Sequence, residues 1–138
     1  YCQPSDFPSI APFVDTFLYD IKIIDETSHI KYTGVSNKWI IENLQYLDQH
    51  NHDVIIRIPI IPTVNADIST ITEISTFLKK YQTIHRIDLL PYHKIGNYKY
   101  KQLNFPNQMM GVKEPTQSSL AKIKTKFEAE GFHVKIGG

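Results

Sequence analysis

Between Asp53 and Ile61 the chain reads Asp-Val-Ile-Ile-Arg-Ile-Pro-Ile-Ile, a run of branched aliphatic residues interrupted only by Arg57 and Pro59. Branched side chains are stiff at χ1 and pack well on a pleated surface. A run with so little polar alternation suits a parallel strand buried on both faces. Parallel neighbours need crossover connections of about a dozen residues or more, usually helical. The flanking sequence supplies them. Asn37 to Gln49 carries Ile40, Ile41, Leu44 and Leu47 at helical spacing, with Ser36 or Asn37 as N-cap. Ser69 to Tyr81 puts Ile71, Ile74, Phe77, Leu78 and Tyr81 on one stripe, with Asp67 or Ser69 as cap.

The same alternation extends in both directions. Phe13 to Lys22 reads as a first strand, His85 to Leu90 as a third ended by Pro91, and Phe132 to Ile136 as a last one. A final helix over Thr116 to Glu130 presents Leu120, Ile123 and Phe127, with Gly131 placed as its C′ residue. Residues 92–114 read as a long irregular loop. Strands alternating with helices give an α/β fold with mostly parallel strands. A chain of 138 residues can bury a sizeable core. It falls well short of the ~200–250 residues of a closed eight-unit barrel, so the pattern predicts part of a (β/α) barrel or a small open sheet. With no repeat, low-complexity tract or linker, residues 1–138 are expected to form a single domain.

Fifteen basic and fourteen acidic residues leave a formal charge of +1, which gives no electrostatic footprint for nucleic acid. The apolar runs are far below the ~20 residues that span a bilayer, and no signal-peptide pattern opens the chain. No membrane partner is therefore expected; a cytoplasmic location is expected as well, though no signal in the sequence states it. The single cysteine, Cys2, excludes an internal disulfide and any cysteine-based metal or iron–sulfur site within these residues. The chain starts at Tyr1, not at methionine, so a preceding segment is expected.

Parallel α/β folds bind ligands at the C-terminal ends of their strands. Leu18, Asp20 and Lys22 share one face of the first strand, where Asp20 and Lys22 form either a mutual salt bridge or a ligand clamp. Arg57, in an apolar strand, needs an anionic partner, either Asp20 or Asp88 or a ligand carboxylate. His93 ends the third strand and could bond a ligand or move a proton. His50 and His52 sit at a helix C-terminus, where they complement its dipole, and a metal site there is not expected. The basic, aromatic stretch 92–101 reads as a solvated loop. No phosphate loop, serine elbow or zinc spacing is present. Three readings stay open on the residues alone: a cofactor-binding enzyme barrel, a barrel lyase using Lys22 as a Schiff-base nucleophile, and a non-catalytic module docking a protein through residues 92–114. Open sheet edges predict self-association.

Leu18-Tyr19-Asp20-Ile21-Lys22, followed by Asp25, His29 and Thr33-Gly34-Val35-Ser36-Asn37, resembles the second half of the glycyl-radical enzyme activating proteins of the radical S-adenosylmethionine superfamily. Ile56-Arg57-Ile58-Pro59, then Leu89-Leu90-Pro91-Tyr92-His93-Lys94-Ile95-Gly96, Lys99-Tyr100 and the ending from Gly131 to Ile136 match further family strings in the same order. The resemblance implies the C-terminal part of a partial (β/α) barrel. It also implies an oxidoreductase that uses S-adenosylmethionine and a [4Fe–4S] cluster to make a 5′-deoxyadenosyl radical. That radical takes hydrogen from a glycine of a partner, pyruvate formate-lyase or a relative.

By the same resemblance, Asp20, Lys22, Arg57 and His93 are cofactor-binding residues, and Asp20 with the main chain near Leu18 forms part of a monovalent cation site. The family's Cys-x-x-x-Cys-x-x-Cys cluster motif, its glycine-rich segment and its Asp/Glu-Thr-x-Gly strand end are absent, and Cys2 does not match a cluster ligand. In the family all three precede the matched region. The chain is therefore expected to be a C-terminal portion, inactive alone, with the cluster held only by the full-length protein. Thr63 and Asn104 stand where the family usually has glycine.

Overall fold

The computed structural model describes residues 1–94, 102, 104 and 111–137. Among them, β1 (Thr16–Asp20), β2 (Asp53–Ile60), β3 (Arg86–Pro91) and β4 (His133–Ile136) form one parallel sheet in the order β1-β2-β3-β4. The helices are α1 (Phe7–Ile10), α2 (Glu26–Thr33), α3 (Lys38–Gln49), α4 (Ile68–Leu78) and α5 (Gln117–Ala129), with a 3₁₀ turn at Ala11–Phe13. Spatial order equals chain order, so every crossover steps the same way around the sheet and helices gather on one face. A doubly wound sheet would reverse direction and cover both faces. This is the singly wound arrangement of a section of a (β/α) barrel.

Burial agrees with that geometry. Val54, Ile56, Ile58 and Ile60 of β2 and Ile87 and Leu89 of β3 are buried, with Leu44 and Leu47 of α3, Ile71, Ile74 and Leu78 of α4, and Leu120, Ile123 and Phe127 of α5 in the same core. Each such side chain contributes about 1.5–3 kcal/mol when fully buried. Ile55, Arg57 and Pro59, on the other face of β2, are only partly buried. The expectation of a strand buried on both faces is thus corrected: the helices cover one side, and the second carries the charged residues.

Two further corrections concern the first third of the chain. The first strand is shorter than Phe13–Lys22, because Pro8 and Pro12 sit at the first positions of two short helical turns and pre-set their φ. Helix α2 was not foreseen, since its residues carry no apolar stripe and His29 is the only one buried. It is held at its ends instead. The Asp25 carboxylate accepts from the Ser28 N–H at 2.8 Å, and Gly34, at φ 80°, closes the other end in the left-handed region.

The remaining caps fall close to expectation. Asp67 accepts from the Thr70 N–H at 2.9 Å and Thr116 from the Ser119 N–H at 3.1 Å. Gly131 adopts φ 96° just beyond α5. At α3, Ser36 Oγ accepts from the Lys38 N–H at 3.1 Å, which frees the Asn37 side chain to donate to the carbonyls of Ile23 and Ile24.

Candidate functional site

The strand register places Asp20, Arg57, Asp88 and Lys135 in one row across the four strands, alternating in sign. The pairing within that row is uneven. Arg57 lies between two carboxylates and takes Asp20, with Nη2 at 2.8 Å and Nε at 2.9 Å from the same Oδ1. Asp88 is buried and bound on its own strand by Arg86, whose Nε and Nη2 each donate at 3.2 Å. Lys22 Nζ approaches the other oxygen of Asp20 at 3.6 Å. One carboxylate therefore serves two cations, and among the described residues no second carboxylate lies within 4 Å of either.

These groups line a cavity of about 410 Å³ that also meets Leu18, Tyr19, His29, Val35 and Asn43. That volume lies within the range of small-molecule sites. Its helical wall is ordered by hydrogen bonds. His29 Nδ1 lies 2.8 Å from the Val35 carbonyl and 3.0 Å from Thr33 Oγ1. Tyr19 Oη donates to the Ile40 carbonyl at 2.7 Å, and burial pushes its ionisation well above the ordinary tyrosine value. Asn43 donates to the Cys2 carbonyl, while its Oδ1 is buried without a partner.

His93 does not line this cavity. It follows β3 on the same C-terminal edge of the sheet, where the Tyr92 N–H donates to the Ile60 carbonyl at 3.1 Å. Its Nδ1 lies 3.6 Å from Glu114 Oε1, and both side chains are exposed. Glu114 also accepts from the Lys94 N–H at 3.1 Å, and that bond, aided by the adjacent His93, holds its carboxyl below the usual range. The structure thus brings Leu18, Asp20, Lys22 and Arg57 together and leaves His93 outside their cavity.

His50 stacks on Tyr46, and His52 meets Phe17 edge-on; no metal-binding group of three or more His, Cys, Asp or Glu occurs among the described residues. Most of the loop 92–114 lies outside the described residues, including the Ile95-Gly96 and Lys99-Tyr100 strings. Asn104, within it, adopts φ 50°, a conformation favouring glycine and tolerated by asparagine. No helix of the described residues is long and apolar enough to cross a membrane.

The sequence places Asn65 in a string, Val64-Asn65-Ala66-Asp67, that resembles the family, but assigns it no role. Asn65 is almost fully buried and bonds the backbone of Lys22, Pro59 and Ile61. A buried carboxamide requires partners, and only the fold shows that this one is buried.

No protein-family model matches the chain. It is 39% identical to the trans-4-hydroxy-L-proline dehydratase activating enzyme of Clostridioides difficile, over 100% of this chain and 46% of that protein. It is 36% identical to the choline trimethylamine-lyase activating enzyme of Oleidesulfovibrio alaskensis, over 99% of this chain and 45% of that one. Identity to the pyruvate formate-lyase-activating enzyme of Staphylococcus epidermidis is 29%, over 94% and 51%. The chain spans about half the length of the curated relatives it matches.

Among solved structures, a domain of a pyruvate-formate lyase-activating enzyme from Bacteroides vulgatus superposes with a TM-score of 0.79 at 25% identity, covering 97% of this chain and 74% of that one. Sequence strings, a singly wound parallel sheet and likeness over nearly the whole of this chain to activases of three different enzymes converge. Over nearly all of its residues the chain is similar to the glycyl-radical enzyme activating proteins, matching about half of the length of each.

Proposed function

We propose that Asp20, Lys22 and Arg57 form part of the S-adenosylmethionine site of an activase that acts on a glycyl-radical enzyme. The observation that carries this reading is the sharing of Asp20 by two cations at the strand ends, inside a cavity of suitable size. The pair of cations has one positive charge in excess and is only partly exposed. A ligand carboxylate supplies the missing charge in a setting where charge-assisted bonds are stronger than in open water. Asp20 orients the guanidinium through two bonds to one oxygen, and its second oxygen faces Lys22. The Leu18 main chain and Asp20 are also proposed to contribute to a monovalent cation site. His93, exposed just beyond β3 and outside the cavity, is assigned to the same cofactor by the family resemblance alone.

The residues present fit S-adenosylmethionine but do not fit a [4Fe–4S] cluster, which requires several cysteine thiolates where this chain has one. When bound by a protein that also holds the cluster, the cofactor supplies the hydrogen-abstracting group. These residues bind and orient it. The chain alone is proposed to be inactive. The partner is proposed by class, pyruvate formate-lyase or a relative, since the three matched activases serve different enzymes.

The product of the uninterrupted reading frame containing these residues, reconstituted and reduced without oxygen, should cleave S-adenosylmethionine. Absence of cleavage in protein shown to hold its cluster would falsify the activity. Lys22→Ala should weaken cofactor binding, and unchanged affinity removes Lys22 from the site. The Schiff-base reading draws less support. Lys22 is ion-paired with Asp20 and 44% exposed, unlike the desolvated apolar setting that activates an amine nucleophile.

A further inference from the structure

We propose that Asn65 is a positioning residue for Lys22, extending the β1–β2 ladder by a side-chain rung and so fixing where the lysine stands. The backbone bonding between these strands ends with the Ile21 N–H donating to the Arg57 carbonyl at 3.0 Å. Lys22 lies just past that bond. There the Asn65 carboxamide takes over: Nδ2 donates to the Lys22 carbonyl at 2.9 Å and to the Pro59 carbonyl at 2.7 Å. Its Oδ1 accepts from the Ile61 N–H at 2.9 Å. The turn that delivers it is closed by the Asn65 N–H donating to the Ile61 carbonyl at 3.1 Å.

Asn65 is 1% exposed, whereas the Lys22 side chain is 44% exposed and has one loose ionic contact at 3.6 Å. The side chain's own contacts are too weak to define its position, so the main chain must do so. Without the Nδ2 donor, two partly buried carbonyls lose their partner, and the Lys22 segment moves to regain one. Asn65 touches no candidate ligand group itself; it acts through Lys22.

This inference rests on the reading of Lys22 as a cofactor-binding group, and a double-mutant cycle separates the two. The cluster-loaded product of the full reading frame is titrated with S-adenosylmethionine by calorimetry, with melting temperature recorded in parallel. Asn65→Asp keeps the acceptor for Ile61 and removes the donor. It should weaken binding about tenfold in folded protein and add nothing further in a Lys22→Ala background, the signature of two coupled residues.

Should Asn65→Asp not fold, Asn65→Ala removes the donor without placing a carboxylate against two carbonyls and carries the same cycle. A lower melting temperature with unchanged affinity, or effects that multiply independently, overturns the positioning role. Unchanged affinity in Lys22→Ala alone instead overturns the underlying reading of Lys22.

Discussion

Replacing Asp20 by asparagine keeps the shape and one acceptor oxygen but removes the charge that Arg57 and Lys22 share. Asp88, the other carboxylate in register with Arg57, is committed to Arg86. Arg57 and Asp20 are 33% and 38% exposed. Fully exposed pairs contribute about 0.2–1 kcal/mol, and breaking a buried one costs roughly 3–5 kcal/mol. A partly screened pair with two bonds to one oxygen falls between, at about 1–2 kcal/mol.

For a chain of this length that loss lowers the melting temperature by roughly 3–8 °C. Urea titration followed by far-ultraviolet circular dichroism measures it. A cycle with Arg57→Met isolates the coupling of the pair from the hydration of either group. Asp88→Asn serves as internal reference, and because Asp88 is 3% exposed it should cost more. A coupling near zero, or a larger loss at Asp20 than at Asp88, refutes the ranking by burial.

Gly131→Ala should cost about 1–2 kcal/mol through left-handed strain alone, since nothing lies within 4 Å of the added methyl group; an unchanged urea midpoint refutes this. Asp67→Ala should cost about 1 kcal/mol at neutral pH by removing the α4 cap. The Thr70 N–H bond lowers the folded-state pKa of Asp67, so this contribution is present above the ordinary carboxylate value and lost as pH falls through the lowered one; an equal loss at pH 7 and pH 2 contradicts it. At the alkaline end, burial raises Tyr19 and pushes Tyr81 up to about 12, so the unfolded chain releases its tyrosine protons first. Stability should therefore fall from about pH 10 upward, and Tyr81→Phe should flatten that fall in urea midpoints measured across the range. The isolated chain should self-associate through the free edge of β1, where Leu18 is 57% exposed; a strictly monomeric sizing profile counts against this.

The strands and the three long helices were legible because apolar periodicity reports burial directly, and Asp53–Ile60, Lys38–Gln49 and Gln117–Ala129 each bury a continuous stripe. Helix α2 was not, because its ends rather than an apolar face hold it, and cap chemistry is weak evidence without a hydrophobic pattern beside it. Burial on both faces of β2 was misread for a related reason. Isoleucines at 55 and 56 look alike in sequence, and only the placement of helices on one side makes their surroundings differ. The Asp20, Lys22 and Arg57 cluster was legible in part. Charge in an apolar strand demands a partner, but register decides which partner, and neither register nor the reach of Asn65 across two strand ends is encoded locally.

The two carboxylates flanking Arg57 show why burial alone does not mark the site. Asp88 is the more buried, yet Arg86 meets both of its oxygens and closes the charge account on one strand. Nothing remains there for a ligand to satisfy. Asp20 is more exposed, but two cations converge on it and the cavity opens beside it. A buried one-to-one pair is complete without a ligand, whereas a shared carboxylate leaves positive charge that an anionic group can neutralise. The imbalance at Asp20, not the depth of any single residue, therefore places the candidate site at the ends of β1 and β2 and not in the middle of β3.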